Sequence, residues 1–307
     1  MSMRTDVFAE QRPVLVATAY RILGSATDAE DVVQDAWLRW STVDQSSVDD
    51  PRAYLVTVTT RLAIDRLRRA RTRRETYVGS WLPEPISTGP DVAERAELAN
   101  SVELALLVVL ETLSPLERAV FVLREAFGLP FTEIGGIIGR TEATTRQLAH
   151  RAREHVQARR PRFEVDRTVR REVTERFLAA CATGDLDALS GLFAEDVRLV
   201  SDGGGKAKSP LRVIEGADRV SRFLSAISTP DASQAFMASI GAPPAASLSL
   251  EVADVNAAPA AVISADGRPI VVISVLVNAG LIECIYLMAN PEKLAGVSRT
   301  AGGSASD

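Results

Sequence analysis

The hydrophobic pattern of this 307-residue chain changes once, near residue 169. Before that point apolar residues recur every three or four positions, which predicts amphipathic helices. After it, short runs rich in valine, isoleucine and leucine predict strands. These runs are Val197–Ser201, Ser247–Val252, Ala260–Ser264, Ile270–Val277 and Leu281–Ala289. The chain is therefore predicted to join an all-α part to an α+β layer of antiparallel strands with helices on one side.

The length fits two or three domains rather than one. We predict a helical domain over 1–75, a linker over 76–98, a second helical domain over 99–160, a short linker over 161–168, an α+β domain over 169–295 and a flexible tail over 296–307. The first linker carries Trp81 and Leu82 beside prolines. Since exposed tryptophan is unusual in a connector, we expect this segment to pack against another surface, and a small local staple is the alternative.

The net charge of −5 conceals two basic blocks in an acidic chain. Residues 51–75 contain eight arginines against two acidic residues, and residues 140–171 contain ten arginines against four. One such block is commonly a solvated helix face, but two, each on an ordered pattern, favour contact with a polyanion.

Composition also excludes several classes of protein. Cys181 and Cys284 are too few for a disulfide scaffold and fit a reducing, cytoplasmic compartment. The sequence shows no apolar run long enough to span a bilayer, so we expect no membrane partner. Without a Cys/His cluster of known spacing, we expect no metal and no cofactor.

The segment Thr27 to Trp40 predicts one amphipathic helix. Thr27 and Glu30 have capping-box spacing, which predicts a helix start at Thr27. The opposite face carries Asp28, Asp31 and Asp35. An arginine-rich helix follows after Pro51.

The second helical domain has a helix-turn-helix pattern. Ser114-Pro115 and Glu117 predict a helix start, Gly139 predicts a turn, and Thr141 predicts the cap of a last helix. The inner stripe of that helix is predicted to be Thr144, Leu148, Ala152 and Val156. A basic and amide-bearing outer face suits phosphates and purine edges in the major groove, although a plain helical hairpin is the alternative.

These motifs together resemble a bacterial RNA polymerase sigma factor of the extracytoplasmic-function group. The stretch from Asp28 to Trp37 and Leu62–Arg68 resemble region 2 of these factors. Leu113–Arg118 and Phe131–Arg153 resemble region 4. The third part resembles the SnoaL-like, NTF2-type cone of the SigJ-like subgroup. That subgroup's short motifs occur in order as Trp81–Pro85, Asp202–Lys206 and Asn290–Leu294.

The resemblance implies a sigma factor that binds core RNA polymerase, through the β′ coiled coil and the β flap, and recognises the −35 and −10 elements of promoter DNA. Polymerase binding falls on Asp28, Asp31, Asp35 and Trp37. Contact with the −10 element falls on Arg61, Arg66, Arg68 and Arg69, where Arg61 replaces an asparagine common in the group. Contact with the −35 element falls on Arg146, Gln147, His150, Arg151 and Arg153.

Our hypothesis is that the third part acts as a fused regulator in place of a separate anti-sigma protein. We expect the three motifs to dock it onto the sigma regions, through Trp81, Leu82, Pro83, Asp202, Gly203, Gly204, Lys206, Asn290, Pro291 and Lys293. Substituting Asp202 and Lys206 should then change transcription without unfolding the protein.

Two alternatives remain open from the residues. One is a one-component transcription regulator with a ligand-sensing cone, which leaves the region 2 pattern unexplained. The other is a cone enzyme that uses Asp196, Asp202, Asp218 or Glu283 as a base. These carboxylates have no evident partner and the third part has no histidine, so we predict no enzymatic activity. The cone could still hold an unidentified small ligand.

Overall fold

The computed structural model describes residues 2–44, 47–88, 103–159, 166–243 and 245–297, and these form two compact units. Unit 1 holds the described parts of 1–75 and 93–160, whereas unit 2 holds those of 76–92 and 161–307. The described part of the first predicted linker therefore packs as part of unit 2.

Unit 1 begins with three helices: α1 (Ser2–Leu23), α2 (Ala26–Thr42) and α3 (Pro51–Arg74). The predicted capping box at Thr27 is wrong. The cap of α2 is Ser25, whose side chain accepts a hydrogen bond from the Asp28 amide at 3.0 Å. The helix starts earlier because α1 ends just before Gly24, so the extended backbone falls on Ser25.

The rest of unit 1 contains α4 (Leu104–Leu110), α5 (Pro115–Glu125), α6 (Phe131–Ile138) and α7 (Glu142–Arg159). The predicted capping box of α5 is confirmed, because Ser114 and Glu117 exchange both bonds at 3.3 and 3.1 Å. The predicted cap of α7 is also confirmed, since Thr141 accepts from the Thr144 amide at 3.2 Å.

Unit 2 contains α8 (Arg167–Thr183), α9 (Leu186–Ser190), α10 (Ala217–Ile227) and α11 (Pro230–Ser239). Its strands are β1 (Phe193–Asp202), β2 (Ile214–Glu215), β3 (Leu248–Val255), β4 (Ala258–Ala265), β5 (Arg268–Asn278) and β6 (Leu281–Met288). A short 3₁₀ helix, Pro291–Lys293, follows β6. The strands form a sheet in the order β2-β1-β6-β5-β4-β3.

The long strands agree with the predicted runs, and the hairpin turn lies at Ala279 and Gly280, where Asn278 pairs with Leu281. The prediction of an antiparallel sheet is wrong at one position. β1 pairs with β6 in parallel, because the first long strand is inserted beside the last. Such pairing cannot be predicted from periodicity, which reports the faces of a strand and not its neighbours.

The predicted tail starts too early. The carbonyl of Gly296 accepts a hydrogen bond from the Ser87 amide at 3.1 Å, and Val297 is buried. Residues 298–307 lie outside the described residues, as do 89–102 and 160–165 in the predicted linkers.

A buried cluster of arginines around Glu111 joins the two helical parts of unit 1. Arg118 is fully buried, donates to the Arg21 carbonyl at 2.8 Å and pairs with Glu111. Arg74 pairs with the same carboxylate and donates to the Leu23 carbonyl at 3.0 Å. Burial lowers the pKa of Arg74, because it disfavours the charged guanidinium. The Glu111 carboxylate stabilises that positive charge.

Substituting Glu111→Gln should destabilise unit 1 by about 3 kcal/mol, because the buried Arg118 and the partly buried Arg74 lose their shared counter-charge. Urea unfolding followed by helical circular dichroism measures the loss. The matched control is Glu125→Gln, whose carboxylate pairs with Arg153 on the surface and should cost about 0–1 kcal/mol. Equal losses in the two variants would show that the cluster does not hold the helical parts together.

Candidate nucleic-acid interface and linker anchor

The outer face of α7 carries every residue predicted to contact the −35 element. Gln147 is exposed, and the other four side chains are between 42% and 73% exposed. These four are Arg146, His150, Arg151 and Arg153. The inner stripe differs from the prediction at one residue, because Thr145 is buried in place of Thr144. Its hydroxyl donates to the Thr141 carbonyl at 2.9 Å, which satisfies the buried oxygen.

Close approach of α6 to the start of α7 fixes the angle of the helix-turn-helix. A Cβ on Gly135 would lie 2.7 Å from the Arg140 carbonyl oxygen and 3.3 Å from the Thr145 hydroxyl. Backbone atoms cannot move aside as a flexible side chain can, so only glycine fits here. Gly135 therefore fixes how closely α6 packs against the start of α7.

The arginines of α7 are held by neighbouring carboxylates. Arg146 pairs with Glu142 at 2.5 Å, and its guanidinium lies 4.9 Å from the centre of the Phe131 ring. Arg151 lies 3.2 Å from Glu117, where desolvation raises the glutamate pKa but hydrogen bonds from Ser114 and the charge of Arg151 lower it overall. The Arg146–Glu142 pair is exposed and therefore weak in water, so phosphate can displace Glu142 at small cost. Glu117 is buried, but its partner Arg151 is itself exposed.

The acidic face of α2 is partly occupied by an arginine of α3. Arg66 lies 2.6 Å from both Asp28 and Asp31. Desolvation lowers the pKa of Arg66, but the hydrogen bonds and charges of the two aspartates raise it overall. The structure therefore pairs a predicted −10 residue with two predicted polymerase-binding residues, which the sequence reasoning treated separately.

The remaining predicted residues of α2 differ in exposure. Asp35 is exposed on the same helix. Trp37 is half-buried, with its ring centre 5.0 Å from that of Phe8 in α1. Trp37 therefore packs within unit 1, and only part of its side chain is accessible to solvent.

The other predicted −10 arginines differ in whether they contact another helix. Arg61 donates to the carbonyls of Ile137 and Gly136, at 2.8 and 3.0 Å, at the end of α6. Arg68 pairs with Asp65 at 3.1 Å and Arg69 contacts the Asp65 carbonyl, but both remain on the surface. Only Arg68 and Arg69 of this set are accessible without breaking a contact to another helix.

The three short motifs meet in one buried cluster of unit 2, which we call the linker anchor: Tyr77, Trp81, Leu82, Asp202, Asn290 and Lys293. Asp202 is fully buried, and one of its oxygens accepts from the Lys293 ammonium at 2.6 Å and from the Leu82 amide at 2.8 Å. The same ammonium donates to the Leu82 carbonyl at 2.6 Å and lies 3.9 Å from the centre of the Trp81 ring. Both buried charges are thus paired and hydrogen-bonded.

Tyr77 completes the linker anchor and was missed as a member of it. Its hydroxyl donates to the second oxygen of Asp202 at 2.6 Å and accepts from the Asn290 side chain at 2.8 Å. Burial and the contact with Asp202 raise the tyrosine pKa well above its usual value. Gly204 lies against this group at φ 61°, where a Cβ would come within 2.4 Å of the Asn290 amide nitrogen. A tyrosine four residues before the tryptophan of a connector was the available signal.

The expectation that these motifs dock the third part onto the sigma regions stays a prediction. Their described contacts join the linker to the sheet domain within unit 2. Pro83 is buried there, Gly203 is buried beside Asp202, and Pro291 begins the 3₁₀ helix that carries Lys293. Lys206 and Pro291 are exposed, and Lys206 pairs with Glu292. Because Asp202 is fully buried, its substitution cannot be the structurally neutral test that we expected.

Unit 2 also contains an apolar cavity between its sheet and helices α10 and α11. None of the four carboxylates considered as a base, Asp196, Asp202, Asp218 and Glu283, lines it. In the part of the chain that the structure describes, no group of three or more potential metal-ligating side chains occurs. No helix within the described ranges is long and apolar enough to cross a membrane.

Comparison with known proteins agrees with this geometry. The family model for Sigma-70 region 2 matches residues 7–73, and that for Sigma-70 region 4 matches residues 103–156. The chain is 44% identical over 226 residues to the ECF RNA polymerase sigma factor SigJ of Mycobacterium tuberculosis, covering 72% of each chain. It is 41% identical over 212 residues to the probable ECF RNA polymerase sigma factor SigI of that organism, covering 68% of this chain and 71% of the relative.

A solved structure resembles both units. The crystal structure of M. tuberculosis SigJ matches 95% of this chain and 99% of its own length, with 35% identity and a TM-score of 0.74. The likeness therefore extends over the helical regions and the sheet domain alike. The chain belongs to the extracytoplasmic-function (ECF) group of RNA polymerase sigma factors.

Proposed function

We propose that this chain binds core RNA polymerase in the cytoplasm and directs promoter-specific initiation through the −35 and −10 elements. Sigma factors are initiation factors and not enzymes, and the sheet domain acts as a fused regulator. One observation carries the proposal: the chain matches both sigma regions, and α7 of region 4 has an exposed face with basic and amide side chains.

The α7 face is suited to the −35 element. An arginine and a glutamine side by side can hydrogen-bond guanine and adenine edges in the major groove. Arg151 and Arg153, farther along the helix, contact phosphates and set its register. His150 is exposed on this face and lies 3.6 Å from Glu154, so it joins the contact surface.

Region 2 contacts polymerase and DNA in a linked way. Asp28 and Asp31 hold Arg66 at 2.6 Å, and a basic partner surface on polymerase competes for the same carboxylates. Polymerase binding thereby frees Arg66 for the −10 strand. Arg68 and Arg69 are accessible beforehand and make the first phosphate contacts. Arg61 joins them only when its bonds to the end of α6 open.

Regulation by the sheet domain acts through the linker anchor. The linker joins the two sigma regions along the chain, and its described part is bonded into unit 2. Holding the linker limits the separations that regions 2 and 4 can adopt, and promoter binding requires a defined separation of the two. The one-component regulator is disfavoured because it gives no role to the region 2 match over residues 7–73.

Run-off transcription with purified core polymerase and the full chain tests the function directly. A promoter-specific product that depends on the chain is expected. Absence of product, together with tight duplex binding by the chain alone, would instead establish a one-component regulator.

Substituting Gln147→Ala should weaken use of the −35 element about fivefold to 150-fold, because one base contact is worth about 1–3 kcal/mol. Binding to core polymerase should be unchanged. Run-off transcription measures the first effect, and fluorescence anisotropy with labelled chain and core polymerase measures the second. The matched control is Gln157→Ala, an exposed glutamine near the other end of α7, which should behave as the parent chain. Equal behaviour of the two variants would remove Gln147 from the interface.

Substituting Tyr77→Phe should loosen the linker without unfolding unit 2. The change removes a donor to Asp202 and an acceptor for Asn290, at a cost of about 1–3 kcal/mol. We expect chymotrypsin cleavage after Trp81 to accelerate about tenfold and run-off product to change at least twofold. Tyr54→Phe, in the packing of α3 against Trp40, is the control for the loss of a tyrosine hydroxyl. Faster cleavage with unchanged transcription would refute regulation through the linker.

A further inference from the structure

The cavity of unit 2 has a volume of about 430 Å³ and lies between the sheet and two helices. Strands β4, β5 and β6 supply one wall through Ile263, Ile273 and Leu287. Helices α10 and α11 supply the other through Phe223 and Phe236. The volume is within the range of roughly 300–1,000 Å³ that is typical of small-molecule sites.

The walls expose more apolar surface than packing alone would leave. Phe223 and Phe236 are only half-buried although they pack on the core of unit 2. Ile227 and Leu248 line the same cavity and are 38% and 50% exposed. Aromatic and branched side chains that remain wetted around one concavity indicate a binding site for an apolar molecule.

Few polar residues line the cavity. Ser209 and Ser233 supply hydroxyls, and Lys208 is the single charged side chain among the described residues that line the cavity. Lys208 is exposed, and within the described ranges no carboxylate lies at ion-pair distance from it. An exposed ammonium lets an anionic head group stay hydrated while an attached chain enters the cavity, so no charge has to be buried.

We propose that this cavity binds a single-chain monocarboxylate, with the hydrocarbon chain between the sheet and α10 and α11 and the carboxylate beside Lys208. The volume of about 430 Å³ lies within the range of small-molecule sites, and dodecanoate is a single-chain probe of that class. A nucleotide or sugar phosphate does not fit this lining, because one lysine and two serines cannot satisfy its polar groups.

Isothermal titration of the full chain with dodecanoate, below its micelle concentration, tests the proposal. Saturable binding with one site is expected, and butyrate should bind at least tenfold more weakly because it buries less apolar surface. Dodecan-1-ol should bind about threefold to fivefold more weakly than dodecanoate, as it lacks the pair with Lys208.

Two pairs of variants locate the site. Ala232 lines the cavity, so Ala232→Trp should reduce dodecanoate affinity at least tenfold, whereas Ala238→Trp, on the exposed side of the same helix, should not. Lys208→Ala should lower dodecanoate affinity threefold to fivefold and leave dodecan-1-ol unaffected. Arg212→Ala removes a nearby exposed charge outside the lining and should change neither.

Each result decides a part of the proposal. Absence of saturable dodecanoate binding, or equal losses in the two tryptophan variants, would overturn the cavity as the site. Equal binding of the acid and the alcohol, with no effect of Lys208→Ala, would overturn the carboxylate. The titration contains no polymerase or DNA, so failure here would leave the proposed role in initiation untouched.

Discussion

A buried ion pair, Lys293 with Asp202, is the interaction on which the organisation of unit 2 depends. Removing two charges from water is expensive, and the cost is offset only when every remaining donor and acceptor is satisfied. The linker supplies those partners: the Tyr77 hydroxyl, the Leu82 amide and carbonyl, and the Trp81 ring. Because the pair is incomplete without the linker, the described part of the segment between the sigma regions, residues 76–88, is an integral part of the sheet domain.

Arginine has two physical roles in unit 1. Arg74 and Arg118 are withdrawn from water around Glu111, where they join the helices of regions 2 and 4. The arginines of α7 remain on the surface, where a phosphate can replace an exposed carboxylate partner. Arg61 and Arg66 are intermediate, since they are engaged with other helices but not deeply buried. The two basic blocks therefore have the same net charge, but their arginines differ in how accessible they are to DNA.

The linker anchor and the cavity share one stretch of chain. The loop from Asp202 to Pro210 begins at the buried ion pair, and its last three residues, Lys208 to Pro210, line the cavity. The Ser201 hydroxyl closes the loop by donating to the Pro210 carbonyl at 2.8 Å. On the neighbouring strand Leu287 lines the cavity, and Asn290 follows shortly after in the anchor. A change at the cavity wall therefore has a short covalent path to the residues that hold the linker.

Local patterns in the sequence determined the helices, the long strands, the turn at Asn278 and the outward face of α7, because periodicity and capping depend on residues within one turn or strand. They were also sufficient to place the three motifs in order and so to indicate the family. Only the tertiary structure decided which residues are partners. The parallel pairing of β1 with β6, the pairing of Arg66 with Asp28, the closure of Tyr77 on Asp202 and the cavity all join positions far apart in the chain. Such contacts depend on how the elements pack, and charge or hydrophobicity read along the chain does not specify a distant partner.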